Sequence, residues 1–411
     1  MKPRDLGIVT VAYWGLTITD GALRMLVLLH FHTLGFTPVQ LALLFLLYEL
    51  CGMFTNFLGG WIATRTGLRT TLFGGLGLQI VAMIMLSGLG EGWGGALAVV
   101  WVMSSQALSG VAKDLTKLSA KSSVKLVKTH ASTVSDADAD AEGRQLFRWV
   151  AWLTGSKNAL KGLGFFIGAA LLQWLGFQPA LWVLAFALGL VLLSTGLLLR
   201  GLEAGRSTEK VKMRQLFSKT HAINQLSAAR FFLFAARDIW FVVALPVFFT
   251  ERLGWDFWQT GGFLALWVVG YGVIQAAAPR VVKKSDNTAG AAARSSLVWA
   301  AVLLLVCLVM AAAAQWNVGL VPVVLGGLAV FGVVFALNSS IHSYLILAYS
   351  DADRVTADVG FYYTANAAGR LVGTLLSGLT YLGGGLAYAL MASAAALLVC
   401  LLLTTRLPMG K

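Results

Sequence analysis

Runs of about twenty apolar residues recur from one end of this chain to the other, and they leave few folds open to it. A bilayer core about 30 Å thick is crossed by roughly 20 apolar residues in a helix. On that ruler the sequence predicts twelve spans, near residues 6–32, 39–63, 71–89, 94–117, 146–175, 179–200, 223–250, 258–280, 293–314, 318–347, 356–381 and 384–405. Backbone amides in hydrocarbon find no water, so such runs must be helical. Only 12% of the 411 residues are charged, whereas soluble domains carry about 25%. The chain reads as an all-α polytopic membrane protein.

A formal net charge of +13 could suggest a nucleic-acid partner, but the placement of the cations argues against one. With the N-terminus inside, the cytosolic segments hold Lys2, Arg4, Arg65, Arg69, Lys121, Lys125, Lys128, the cluster from Arg200 to Lys219, Arg280, Lys283, Lys284, Arg294, Arg354, Arg406 and Lys411. The opposite loops hold only Arg252. This asymmetry follows the positive-inside rule and predicts cytosolic termini in a bacterial inner membrane. Met1-Lys2-Pro3-Arg4 leads into the first apolar run without a small-residue cleavage site, so that run is expected to be retained. Cys51, Cys307 and Cys400 lie in apolar runs without metal-ligand or CxxC spacing. The stretch 125–144, with Asp136, Asp138 and Asp140 beside His130, reads as a solvated loop, because nothing in it fixes a coordination geometry. No metal, no cofactor and no nucleotide-hydrolysing motif is expected, and the chain reads as a monomer.

A hydrophilic stretch divides the spans six and six. The predicted units are an N-terminal six-helix bundle at 1–200, a cytosolic linker at 201–221 and a C-terminal six-helix bundle at 222–411. Between spans 2 and 3 the sequence reads Gly60-Trp61-Ile62-Ala63-Thr64-Arg65-Thr66-Gly67-Leu68-Arg69. It resembles the glycine–acid–arginine–glycine–basic loop of the major facilitator superfamily, with Thr64 standing where the acid is expected. That resemblance implies two six-helix halves related by a pseudo-two-fold along the membrane normal, with a substrate site between them at mid-depth.

Charge inside the spans points to what such a site would hold. Arg24, Lys113, Lys117, Lys157, Lys161, Arg230, Arg237 and Arg370 fall within or at the ends of apolar runs, and only Asp20, Glu49, Asp114 and Asp238 share those runs as acids. A charge at bilayer depth costs roughly 2.5–3.5 kcal/mol on insertion scales, so these groups should face a cavity, a partner or a substrate. Helical spacing puts Tyr13, Thr17, Asp20 and Arg24 on one stripe of span 1, where Asp20 can pair with Arg24 or titrate beside it. Glu49 has no base in reach on its own helix and reads as a proton carrier or as the partner of a lysine from span 4 or 5. Lys113 is the deepest of a row in span 4 whose outer members, Lys117 included, should snorkel to the cytosol. Lys157, Asn158 and Lys161 cluster in span 5. Arg230 and Arg237 share a face of span 7 beside Asp238, so one should be neutralised by Asp238 or Glu49 and the other left for an anion. Span 10 adds Asn338 and His342, and span 11 adds Tyr363, Asn366 and Arg370. His30 and His32, two residues apart, read as interfacial residues on different faces. Asp20, Glu49 and Asp238 are the candidate proton-coupling groups.

A closer resemblance runs through the strings Thr19-Asp20-Gly21-Ala22-Leu23-Arg24, Ser109-Gly110-Val111-Ala112-Lys113-Asp114, Thr154-Gly155-Ser156-Lys157-Asn158-Ala159-Leu160-Lys161-Gly162 and Ala236-Arg237-Asp238-Ile239-Trp240. These are similar to the organoarsenical efflux permeases of the ArsJ type. The resemblance implies export of 1-arseno-3-phosphoglycerate, which glyceraldehyde-3-phosphate dehydrogenase makes when arsenate replaces phosphate, and so arsenate resistance coupled to that enzyme. An anion with an oxyanion at each end would need two cationic clamps. An organophosphate/phosphate antiporter, and more remotely a polytopic membrane enzyme acting on a phosphorylated substrate, are the alternatives. Proton antiport, anion exchange and uniport all remain open as the energy source.

Overall fold

The computed structural model describes residues 3–90, 95–129, 139–199, 220–282, 289–350 and 355–408, and all its regular elements are helices. In chain order they are α1 (Pro3–Thr33), α2 (Pro38–Leu44), α3 (Leu46–Thr66), α4 (Leu68–Ser87), α5 (Gly95–Thr129), α6 (Ala139–Leu175), α7 (Phe177–Leu198), α8 (His221–Phe241), α9 (Ala244–Leu253), α10 (Phe257–Val282), α11 (Ala289–Trp316), α12 (Leu320–Tyr349) and α13 (Val355–Thr404). Among the described residues, ten segments are long and apolar enough to cross a membrane. The α6 helix is not among them, since Lys157, Asn158 and Lys161 lower its hydropathy. The chain is therefore a multi-pass membrane protein.

Breaks in the helices have local causes. At 1.5 Å per residue, the 50 residues of α13 would reach about 75 Å, more than twice the bilayer core. The helix is interrupted instead at Gly384 and Gly385, and Gly385 has φ 65°, a left-handed value that glycine adopts without strain. The α8–α9 break lies just before Pro246, which has no N–H to give the preceding turn. The amides of Val243 and Ala244 donate to Ser377 Oγ of α13, each at 3.1 Å, so the interruption leaves them satisfied.

Close helix packing uses small residues, since lipid supplies no hydrophobic drive between helices. The α6 and α10 helices meet at Gly155 and Gly272, where a Cβ on Gly272 would stand 2.6 Å from the Gly155 carbonyl oxygen. Likewise α1 meets α6 where a Cβ on Gly21 would stand 2.5 Å from the Lys161 carbonyl oxygen.

Two loops are shorter than the sequence predicts. The expected solvated stretch 125–144 is helical up to Thr129 and again from Ala139; its centre, with His130, Asp136 and Asp138, lies outside the described residues. Between α3 and α4 a single residue, Gly67 with φ 80°, makes the turn. The motif side chains of Thr64 and Arg65 lie outside the described residues, and so does most of the linker at 201–221.

Candidate functional site

The apolar run of α1 presents Tyr13, Thr17, Asp20 and Arg24 inward, all buried. Asp20 does not pair with Arg24. Its carboxylate accepts from Lys161 Nζ of α6 at 2.7 Å and from the Tyr48 hydroxyl of α3 at 2.6 Å. The glycine approach at Gly21 brings α6 close enough for Lys161 to reach, so geometry across helices overrides the four-residue spacing.

Arg24 turns to Glu49 instead, 3.1 Å away on α3. Glu49 is 1% exposed, and the same oxygen accepts from Arg370 of α13 at 2.6 Å. Its partners are thus two arginines rather than the expected lysine. Arg370 also bonds Asp238 of α8 through Nε at 3.2 Å, and Asp238 accepts from Arg237 Nε at 2.6 Å. The α8–α13 contact that allows this is tight at Gly369 and Gly373, where a Cβ would run into the Phe231 and Ala235 carbonyl oxygens. Arg24, Glu49, Arg370, Asp238 and Arg237 therefore form one alternating chain through α1, α3, α13 and α8.

Asp114 of α5 anchors a second group. Lys113 lies 3.6 Å and Lys117 3.1 Å from its carboxylate, and Lys117 also donates to Asn56 of α3 at 2.6 Å. Lys117 does not snorkel outward; a buried acid one turn away on its own helix and the partly buried Asn56 amide of α3 hold it inside. Tyr48 ties the groups together. Besides its bond to Asp20, its ring faces Lys113 Nζ at 4.0 Å, the Arg24 guanidinium at 5.4 Å and Lys161 Nζ at 5.9 Å, distances at which a ring attracts a cation.

Arg230 differs from the rest. It is 4% exposed and has no ion pair among the described residues. Its Nε donates to Asn366 at 2.9 Å, and Nη1 donates to the Ser339 carbonyl at 3.0 Å and to the Ser339 hydroxyl at 3.1 Å. The guanidinium lies between the Phe234 and Tyr362 rings, at 4.0 and 5.1 Å. Nearby on α12, Asn338 and His342 both bond Ser296 of α11, at 2.7 and 2.9 Å, which leaves Asn338 Nδ2 and His342 Nδ1 buried without a hydrogen bond.

The remaining predicted residues lie at the α6–α10 contact and at the far end of α1. Asn158 of α6 donates to Gln275 of α10, and Lys157 is half-buried one turn before Lys161. His30 stacks on Phe177 with ring centroids 4.0 Å apart, and His32 bonds the Thr250 hydroxyl at 2.9 Å, so both have specific partners in the protein. Sequence reasoning missed Tyr48 and Gln275 as members of the network, while Ser339 is among the polar residues of span 10. Tyr48 sits beside Glu49 in an apolar run, where an aromatic looks like core; only that adjacency could have marked it.

Among the described residues, four buried acids hold Arg24, Lys113, Lys117, Lys161, Arg237 and Arg370 in seven ion pairs, and Arg230 stands apart from them. Among the described residues, no group of His, Cys, Asp and Glu is placed to hold a metal ion. The arrangement can hold anions and exchange ion-pair partners.

No family model and no curated protein matches the chain. Solved structures do match it. It is similar to the human organic anion transporter MFSD10 (TETRAN), with 16% identity and TM-score 0.69 over 98% of this chain and 100% of that one. A bacterial homologue of the iron transporter ferroportin, in an outward-facing state, matches with 16% identity and TM-score 0.68 over 99% of each chain. A POT family transporter in complex with a thioalcohol-conjugated peptide matches with 16% identity and TM-score 0.72 over 98% of this chain and 95% of that one. All three are described as transporters. At this identity the likeness carries the fold alone, the all-helical membrane fold that these three structures have.

Proposed function

We propose that this chain is a secondary-active efflux permease for a small anion carrying two oxyanion groups, and that 1-arseno-3-phosphoglycerate is that anion. The observation that carries the reading is the buried charge: cations from α1, α5, α6, α8 and α13 outnumber the acids that hold them, and Arg230 pairs with no acid among the described residues. An excess of buried positive charge is stable when an anion completes it. Guanidinium groups suit phosphate and arsenate because their planar fork makes two parallel hydrogen bonds. The resemblance to the organoarsenical permeases narrows the anion from a polyanion to the arsenylated one.

In this reading the carrier has twelve spans in two halves, 1–200 and 222–411, joined by the cytosolic stretch 201–221. Helices α2 and α3 together make the second span, α8 and α9 the seventh, and α13 divides at Gly384–Gly385 into the last two. Both termini face the cytosol of a bacterial inner membrane. Arg24, Lys113, Lys157, Lys161, Arg230, Arg237 and Arg370, with Tyr13, Asn158, Asn338, His342 and Asn366, are the groups from which the clamps for the two oxyanion ends are drawn. Asp20, Glu49 and Asp238 are each held by a cation, so coupling through any of them requires it to leave that cation before taking a proton.

The test is an arsenate-sensitive strain expressing the chain with and without glyceraldehyde-3-phosphate dehydrogenase. Arsenate resistance that needs both is the expected result. Resistance from the permease alone would reject the organoarsenical, and no resistance together with phosphate-for-organophosphate exchange in vesicles would favour the antiporter without arsenic specificity.

A further inference from the structure

One carboxylate oxygen, Glu49 Oε1, sits between guanidinium groups on two helices far apart in sequence, Arg24 Nη1 at 3.1 Å and Arg370 Nη2 at 2.6 Å. Each guanidinium carries five N–H donors arranged for bidentate contact with an oxyanion. Glu49 uses few of them. Among the described residues Arg24 makes a single side-chain hydrogen bond, and its Nη2 is buried with no partner. Arg24 also lines a small cavity of about 10 Å³, room for about one water, with Met25, Leu28, Phe165, Phe241 and Leu264. These two arginines are under-used by their present anion, and their donors suit a group with more oxygens than a carboxylate.

Glu49 also sits beside a helix break, with further cations near it. It lies on the first turn of α3, just after the interruption at Phe45 that separates α2 from α3. Lys113 and Lys161 both stand over the ring of the preceding residue, Tyr48, so a displaced carboxylate has other cations in its neighbourhood. Leaving the arginines does not strand it unpaired in a dry interior, which would be strongly unfavourable.

We propose that Glu49 is a built-in stand-in for the substrate's oxyanion. In the empty carrier its carboxylate holds the position between Arg24 and Arg370 that a tetrahedral dianion, a phosphate or arsenate ester, takes on loading. Loading then exchanges one anion for another at the same two arginines. The inference rests on the anion-transport reading and adds to it the location of one clamp and the identity of the group that guards it.

The experiment measures binding of 3-phosphoglycerate to the purified full-length chain in detergent by titration calorimetry. Glu49→Gln removes the internal competitor, and its affinity should rise at least tenfold over the native chain. Millimolar formate, a free carboxylate, should bring that affinity back toward the native value. Arg370→Gln should abolish the gain when combined with Glu49→Gln. Equal or weaker binding by a folded Glu49→Gln protein would overturn the proposal, and so would a gain that formate does not reverse, because loss of a negative charge alone strengthens anion binding without vacating a site. Should that variant fail to fold, Glu49→Asp retains the charge on a shorter arm that cannot bridge both arginines; it too should bind more tightly, and equal or weaker binding overturns the proposal. Binding by neither native chain nor variants would reject the anion reading itself, a result distinct from equal binding by both.

Discussion

Tyr48 touches Asp20, Arg24, Lys113 and Lys161 at once, so a single side chain joins helices α1, α3, α5 and α6 at the charged centre. Its hydroxyl bonds a buried carboxylate, and hydrogen bonds to charged groups contribute about 1.5–3 kcal/mol. Tyr48→Phe keeps the ring and its cation contacts and loses that bond; the expected drop of about 1.5–3 kcal/mol is read from thermal unfolding in detergent. Glu49→Gln leaves two arginines short of a buried anion and should lower stability by about 3–5 kcal/mol. Added 3-phosphoglycerate should restore part of that loss, since a ligand that binds only the folded state stabilises it. The residues of this centre were legible in the sequence as charges at bilayer depth. Their pairings were not: Glu49 lies 25 residues from Arg24 and 321 from Arg370, and no spacing rule reaches that far. Where a rule did apply, at Asp20 and Arg24, a lysine from α6 was nearer.

At the scale of the elements, interruptions and close approaches set where those side chains fall. Ser377 Oγ accepts from two amides left by the break before Pro246, and burial gives them no other partner. Ser377→Ala strands both; each buried unsatisfied group costs about 1–3 kcal/mol, so a lower unfolding temperature is expected without any change in which anions compete for binding. The α6–α10 contact depends on glycine at 155 and 272. Gly272→Leu forces these helices apart, with overpacking costing about 1–3 kcal/mol, and should depress transport because α6 carries Lys157 and Lys161. Element lengths were largely legible from the apolar runs. The α6 helix, the interruption near Phe45 and the one-residue turn at Gly67 were harder to see, because charges weaken the first signal and local backbone geometry alone makes the other two.

For the whole molecule, composition and apolar runs pointed to a polytopic helical membrane protein, and the likeness to solved transporters agrees in fold. The substrate was not legible from the fold, since three neighbours at 16% identity include carriers named for organic anions, iron and peptide-like ligands. Chemistry at the centre has to decide it, and a transport measurement is the direct route. Proteoliposomes containing the chain are loaded with glyceraldehyde-3-phosphate dehydrogenase, its aldehyde substrate, its nicotinamide cofactor and arsenate, and 3-phosphoglycerate is followed outside. The account predicts its appearance outside only when the permease, the dehydrogenase and arsenate are all present, with at least a tenfold slower rate for Arg370→Gln. Export unchanged by Arg370→Gln, or none from liposomes with all components, would contradict it.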